Sequence, residues 1–191
     1  MSLSLALILL AKPKVDATFR AFEDRLAKAQ VMVLKMRKEQ AKGTNGDGFE
    51  IEGYAFNVTL TLKQPNYMRY ETSDGYLQIS DGKTLYERNR DGKESRDTAK
   101  TMGDMTDARG FDRFINGSRT SYSIIMSDKK FFVGKTSGEA VTWTSSMTVD
   151  RKTGHPLSYT YQEKSDPEET TTYLDIKLNV KLPKDIFKIP N

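Results

Sequence analysis

One change of hydrophobic period constrains this 191-residue chain more than any other feature. Apolar residues recur at helical spacing early on, and thereafter mostly at every second position between glycine-bearing turns. Val15, Phe19, Phe22, Leu26 and Ala29 lie four, three, four and three positions apart. That spacing predicts one amphipathic helix over 14–30, with Pro13 suited to its start. From Val31 the period becomes two, and Met32, Leu34 and Met36 share one face of a strand. A polar stretch from Lys38 ends in the turn signal Asn45-Gly46-Asp47-Gly48. Over 49–63, Tyr54, Phe56, Val58, Leu60 and Leu62 alternate, whereas Phe49 and Ile51 keep the opposite phase. The slip near Gly53 predicts a bulge or bend.

Further strands follow at hairpin spacing. Met68 and Tyr70 share a side of 66–72, and Asp81-Gly82 separates strands over 76–80 and 83–89. Arg88-Asn89-Arg90-Asp91-Gly92-Lys93-Glu94 has the mixed charge of a solvated hairpin. Met105, Ala108, Phe111, Phe114 and Ile115 restore helical spacing before Asn116-Gly117. Sheet patterning then resumes. Val141, Trp143, Met147 and Val149 share a face, and Lys152-Thr153-Gly154 turns the chain into Leu157, Tyr159 and Tyr161. An acidic loop spans 163–169, and Leu174, Ile176, Leu178 and Val180 form a last alternating face. About eight to eleven mostly antiparallel strands with two helical segments predict an α+β fold: an open, unclosed half-barrel with a helical lid. No linker or repeat divides residues 13–191, which are expected to form one domain.

Composition removes several chemistries. There is no Cys and a single His, so disulfides, cysteine nucleophiles and multi-histidine metal centres are excluded. His155 sits in a turn signal with no nucleophile paired to it by sequence. Gly134-Lys135-Thr136 lacks the earlier glycine of a phosphate loop and is expected to be a β-turn. Asp166, Glu168 and Glu169 lack calcium-loop spacing. The expectation is a non-enzymatic protein with no cofactor and no metal. Thirty Lys/Arg against 26 Asp/Glu give a net charge of +4 without a basic stripe, which does not point to nucleic acid. Leu3 to Ala11 is too short to cross a bilayer but matches the apolar part of an export signal. No basic residue precedes it and no Ala-x-Ala cleavage site follows, so residues 1–12 read as a truncated or atypical signal, or as an ordinary buried segment.

Four motifs in order carry a family resemblance. They are Pro65 with Arg69-Tyr70; Ser80-Asp81-Gly82-Lys83-Thr84-Leu85-Tyr86; Asp150-Arg151-Lys152-Thr153-Gly154-His155-Pro156-Leu157; and Phe187-Lys188-Ile189-Pro190. From about Val15 onward the chain resembles the LolA family, periplasmic carriers of outer-membrane lipoproteins. The resemblance implies an incomplete barrel whose helices close an apolar cavity for acyl chains. It also implies a periplasmic or otherwise extracytoplasmic monomer that takes an acylated lipoprotein or lipid from an inner-membrane donor to an outer-membrane acceptor, with transient contact at the membrane surface. Arg69 falls where a family arginine latches the lid; pointing outward to solvent is its alternative. The same fold serves envelope sensors and interaction modules without a transport role.

A carrier needs an apolar wall and a movable cover. The expected wall is Met32, Leu34, Met36, Tyr54, Phe56, Val58, Leu60, Met68, Tyr70, Trp143 and Met147. The expected lid is Phe19, Phe22, Leu26, Phe111, Phe114 and Ile115. The same pattern would also build a solid core.

Overall fold

The computed structural model describes residues 17–99, 124–126, 130–137, 143–163 and 166–190. Helix α1 (Ala17–Ala27) precedes the strands β1 (Val31–Gln40), β2 (Gly43–Thr44), β3 (Glu50–Ile51), β4 (Tyr54–Lys63), β5 (Tyr67–Thr72), β6 (Leu77–Asp81) and β7 (Thr84–Arg88). There follow β8 (Glu94–Thr98), β9 (Ile124–Met126), β10 (Lys130–Ser137), β11 (Trp143–Asp150), β12 (Pro156–Glu163) and β13 (Glu169–Leu178). Eleven strands make one sheet in the order β8-β7-β6-β5-β4-β1-β13-β12-β11-β10-β9, and β2 and β3 form a separate small hairpin. Each neighbouring pair in the large sheet is antiparallel. The first strand lies in the middle, between β4 and the last strand, so the sheet grows outward in two meanders. Among the described residues its ends, β8 and β9, are not paired to each other, and the half-barrel they form is open. The outer strand β8 carries Glu94, Arg96 and Asp97 and is exposed throughout, a charged edge that discourages edge-to-edge pairing.

Helix α1 forms where the helical period predicts it, and its stripe is buried: Phe19, Phe22 and Leu26 are covered. The turn after it closes with Ala29 N–H donating to the Leu26 carbonyl at 3.1 Å. Arg25 in the last turn suits the negative end of the helix dipole. Met32, Leu34 and Met36 of β1 meet Val58, Leu60 and Leu62 of β4 and Met68 and Tyr70 of β5 in the same buried cluster. Alternation thus places one apolar face of the sheet, the inner face, under the helix.

Two register features follow from local sterics. The expected slip near Gly53 is a break between β3 and β4. A Cβ there would lie 2.6 Å from Lys42 N and 2.8 Å from the Gln40 carbonyl oxygen, so only glycine lets the hairpin backbone approach so closely. On β13, Lys35 is opposite Asp175 but Met36 is opposite Tyr173, so Leu174 is an extra residue at a bulge. This corrects the expectation that Leu174, Ile176, Leu178 and Val180 share one face. Beyond the bulge the phase inverts: Tyr173 and Thr171 turn inward and Leu174 is 59% exposed. Gly134-Lys135-Thr136 is likewise not a β-turn. It lies within β10, where the register to β11 shifts between Val133 and Thr136.

The outer face has its own cover. Leu77, Ile79 and Tyr86 form a second buried cluster, with Phe187 and Ile189 packed against it. Phe187 meets the Tyr67 ring at 5.5 Å between centroids, and Arg96 donates to the Pro190 carbonyl at 2.9 Å. The Phe187-Lys188-Ile189-Pro190 motif is therefore a strap that keeps this patch from water. Burial pushes the Tyr86 phenol above its ordinary pKa.

Candidate functional site

The structure divides the expected wall in two. Met32, Leu34, Met36, Val58, Leu60, Met68, Tyr70 and Met147 form one buried cluster with Phe19, Phe22 and Leu26 of α1. Beneath the helix the inner face is therefore packed. An acyl chain can occupy that part only if the α1 side chains leave it. Tyr54 and Phe56 lie further along, less buried, with their rings stacked at 5.3 Å. Trp143 is on β11, and its side chain lies outside the described residues, as do Phe111, Phe114, Ile115 and residues 1–12. Arg69 occupies the opposite face from Met68 and Tyr70, and its guanidinium pairs with Glu71 at 3.0 Å.

The turn between β11 and β12 seats α1. Asp150 Oδ1 accepts from Lys152 N–H at 3.0 Å, Thr153 N–H at 2.8 Å and the Thr153 hydroxyl at 2.8 Å. The Thr153 hydroxyl and these amides hold the Asp150 carboxyl below the usual carboxylate range. The turn so fixed presents three groups to the helix. Arg25 donates to the Thr153 carbonyl at 3.3 Å. The His155 ring lies against Phe22 at 4.9 Å. Gly154, at φ 73°, fits beneath the Thr18 carbonyl, where a Cβ would collide with the oxygen and stand 2.9 Å from the carbon. The other end of the helix connection is pinned by Asn179, whose Oδ1 accepts from Gln30 N–H at 2.8 Å. The Asp-x-x-Thr-Gly-x-Pro motif is thus the dock of the cover.

Burial, and then Arg25 beside it, lower the pKa of His155, with Asp150 acting the other way. The folded value lies below the unfolded one of about 6.5. The stabilisation from a neutral ring is therefore complete above about pH 6.5 and is lost as pH falls through the folded pKa. His155→Phe keeps an aromatic ring on Phe22 and removes the titration. It is expected to flatten the decline in melting temperature between about pH 7 and pH 5, since no other histidine exists in the chain. Asp150 acts in a lower window. Its contribution is present above the ordinary 3.8 and fades only as pH falls below that.

Away from the dock, the inner face changes character. The even positions of β1 continue as Lys38, opposite Phe56 and Thr171, and Gln40, opposite Tyr54 and Glu169. Lys38 Nζ stands 3.9 Å from Glu169 Oε1, while the Tyr54 hydroxyl donates to Glu169 Oε2 at 2.5 Å. Arg90 lies over the Phe56 ring at 5.4 Å and pairs with Asp74 at 2.6 Å. Burial alone would raise the Asp74 carboxyl, but the Thr72 hydroxyl and Arg90 outweigh it and lower the pKa. Sequence reasoning missed Lys38 and Glu169. It ended β1 at its last apolar residue and placed Glu169 in a solvated loop, whereas β1 runs on to Gln40 and β13 begins at Glu169. The signal present was the period itself, which polar residues continue without a hydrophobic mark. Among the described residues no group of three or more side chains could hold a metal ion, and no helix is long and apolar enough to cross a membrane.

No protein-family model matches the chain, and no curated protein matches it. Solved structures do. An uncharacterized conserved protein from Thermus thermophilus is similar at 9% identity over 90% of this chain and 93% of its own, with a TM-score of 0.51. A LolA superfamily protein from Nitrosomonas europaea is similar at 11% identity over 89% of this chain and 97% of its own, with a TM-score of 0.40. The MucA/MucB complex of Pseudomonas aeruginosa matches at 13% identity over 91% of this chain and 62% of that one, with a TM-score of 0.40. At these identities the likeness to the Thermus protein is one of fold, and the two lower scores add no functional weight to it. The strand order and the covering helix are those of an open antiparallel half-barrel with one face under a helix.

Proposed function

We propose that this chain carries lipid, or the acyl chains of a lipoprotein, across the cell envelope outside the cytoplasm. The inner face of the open sheet is the floor for the guest and α1 is the cover that gives way to it. The observation that carries this reading is the apolar stripe of α1 on that floor, seated along the helix by the β11–β12 turn and, in the connection after it, by Asn179. Magnitudes favour exchange. Uncovering Phe19, Phe22 and Leu26 costs about 5–9 kcal/mol at ~1.5–3 kcal/mol each. Removing a chain of about fourteen CH₂ groups from water gains about 11 kcal/mol at ~0.8 each. The two are close enough for loading to be favourable and release to remain accessible. Met32, Met36, Met68 and Met147 in the same cluster can adapt to either occupant.

The test is direct. Protein purified from an extracytoplasmic fraction of its native host is expected to carry lipid in native mass spectrometry, and delipidated protein to bind a fluorescent C16 acyl probe. Absence of both results would remove the carrier reading. It would leave that of an envelope interaction module.

A further inference from the structure

We infer that Lys38 marks a head-group subsite, so that the guest is an amphiphile with a carboxylate or phosphate head. This rests on the carrier reading and names the ligand class of the same face. Along β1, the inner face runs from Met32, Leu34 and Met36 to Lys38 and Gln40. The neighbouring strands change in step: Leu62, Leu60 and Val58 give way to Phe56 and Tyr54 on β4, and Tyr173 gives way to Thr171 and Glu169 on β13. The floor is therefore apolar at the α1 end and polar at the other. From Met32 to Lys38 is about 20 Å of strand, more than the ~15 Å spanned by one bilayer leaflet's chains.

The sign of the head follows from what is already satisfied. Glu169 receives the Tyr54 hydroxyl at 2.5 Å, whereas the Lys38 ammonium stands 3.9 Å away, too far for a hydrogen bond. The Lys38 side chain is only 17% exposed. Its ammonium is ion-paired with Glu169 but makes no hydrogen bond to it, so its three donors can still take an anionic head placed beside that pair. Across the Phe56 ring, Arg90 adds a second cation whose Asp74 partner is itself bonded by the Thr72 hydroxyl. Lys38, opposite Phe56 in the strand register, and Arg90, over the Phe56 ring, thus place two cations, each beside a carboxylate, at the polar end of the apolar floor.

The experiment is displacement of a fluorescent C16 acyl probe by palmitate and, separately, by monopalmitin, which has the same chain and an uncharged head. Palmitate is expected to compete about tenfold better in the wild-type protein. The preference is expected to collapse in Lys38→Met and to survive in Lys38→Arg, which guards against a folding effect of the first variant. Equal competition by the two lipids, or an unchanged preference in Lys38→Met, would overturn the subsite while leaving carriage intact. If neither lipid displaces a bound probe, the subsite falls, while the carrier reading stands on the binding of the probe itself. Inorganic phosphate is expected to leave palmitate binding unchanged; competition at concentrations like those of palmitate would mark a free-anion site and overturn the amphiphile assignment.

Discussion

Replacing Gly154 with valine is expected to loosen α1 from the sheet while the sheet stays folded. The left-handed backbone at φ 73° already resists a β-branched side chain. The new Cβ would also collide with the Thr18 carbonyl, which is helix backbone and cannot rotate away. Either the turn or the helix must move, and a move of either strains the Arg25 hydrogen bond and the Phe22–His155 contact that join them. The expected result is a large rise in amide hydrogen exchange over 17–27 and a lower melting temperature, with exchange in β1, β4 and β13 little changed. Gly92→Val is the control. Gly92 has a similar φ of 80° but nothing within 4 Å of its Cβ position, so it carries the backbone cost without the collision. Equal effects of the two substitutions on exchange in α1 would contradict the docking role of the turn.

Phe22→Ala is expected to have an effect of similar size by another route. Truncating a fully buried phenylalanine costs about 3–5 kcal/mol when its surroundings cannot relax. Here the helix can leave instead, so the loss in global stability is capped by the free energy of seating α1. The expected signature is a modest loss of stability joined to strong binding of an apolar dye, because the floor of Leu34, Leu60 and Met68 becomes accessible. Ile79→Ala, buried on the outer face under Phe187 and Ile189, is expected to lower stability without that dye signal. Dye binding that rises equally in both variants would mean that α1 is not a separable cover.

How much of this was legible in the residues depended on where hydrophobicity reported geometry. The stripe Phe19-Phe22-Leu26 and the alternation in β1, β4 and β5 gave the helix, the inner face and their contact, because each buried side chain repeats the period of its backbone. The Gly53 break was visible for the same reason, as a slip of phase. The bulge at Leu174 was hidden. A residue inserted into β13 leaves a local sequence of ordinary alternation, and only the pairing with β1 shows that Tyr173 rather than Leu174 faces inward. The outer cluster under the C-terminal strap was hidden too, because Leu77 and Ile79 are covered by residues more than a hundred positions away. Lys38 and Glu169 escaped notice because a polar residue on a strand carries no mark of which face it occupies. The Asp150–Pro156 motif was recognised as a turn, but its purpose as the dock of α1 required the helix to be placed in space.

The central claim is that α1 must leave its seat for the floor to take a guest. The chain has no native cysteine, so Arg25→Cys with Thr153→Cys provides a unique pair across the seat, to be joined by a bis-maleimide with a cleavable disulfide spacer. Binding of a fluorescent C16 acyl probe is then measured before cross-linking, after it and after reductive cleavage. The account predicts binding that is lost on cross-linking and restored on cleavage; a cross-linked protein that binds the probe as tightly as the free one would contradict it.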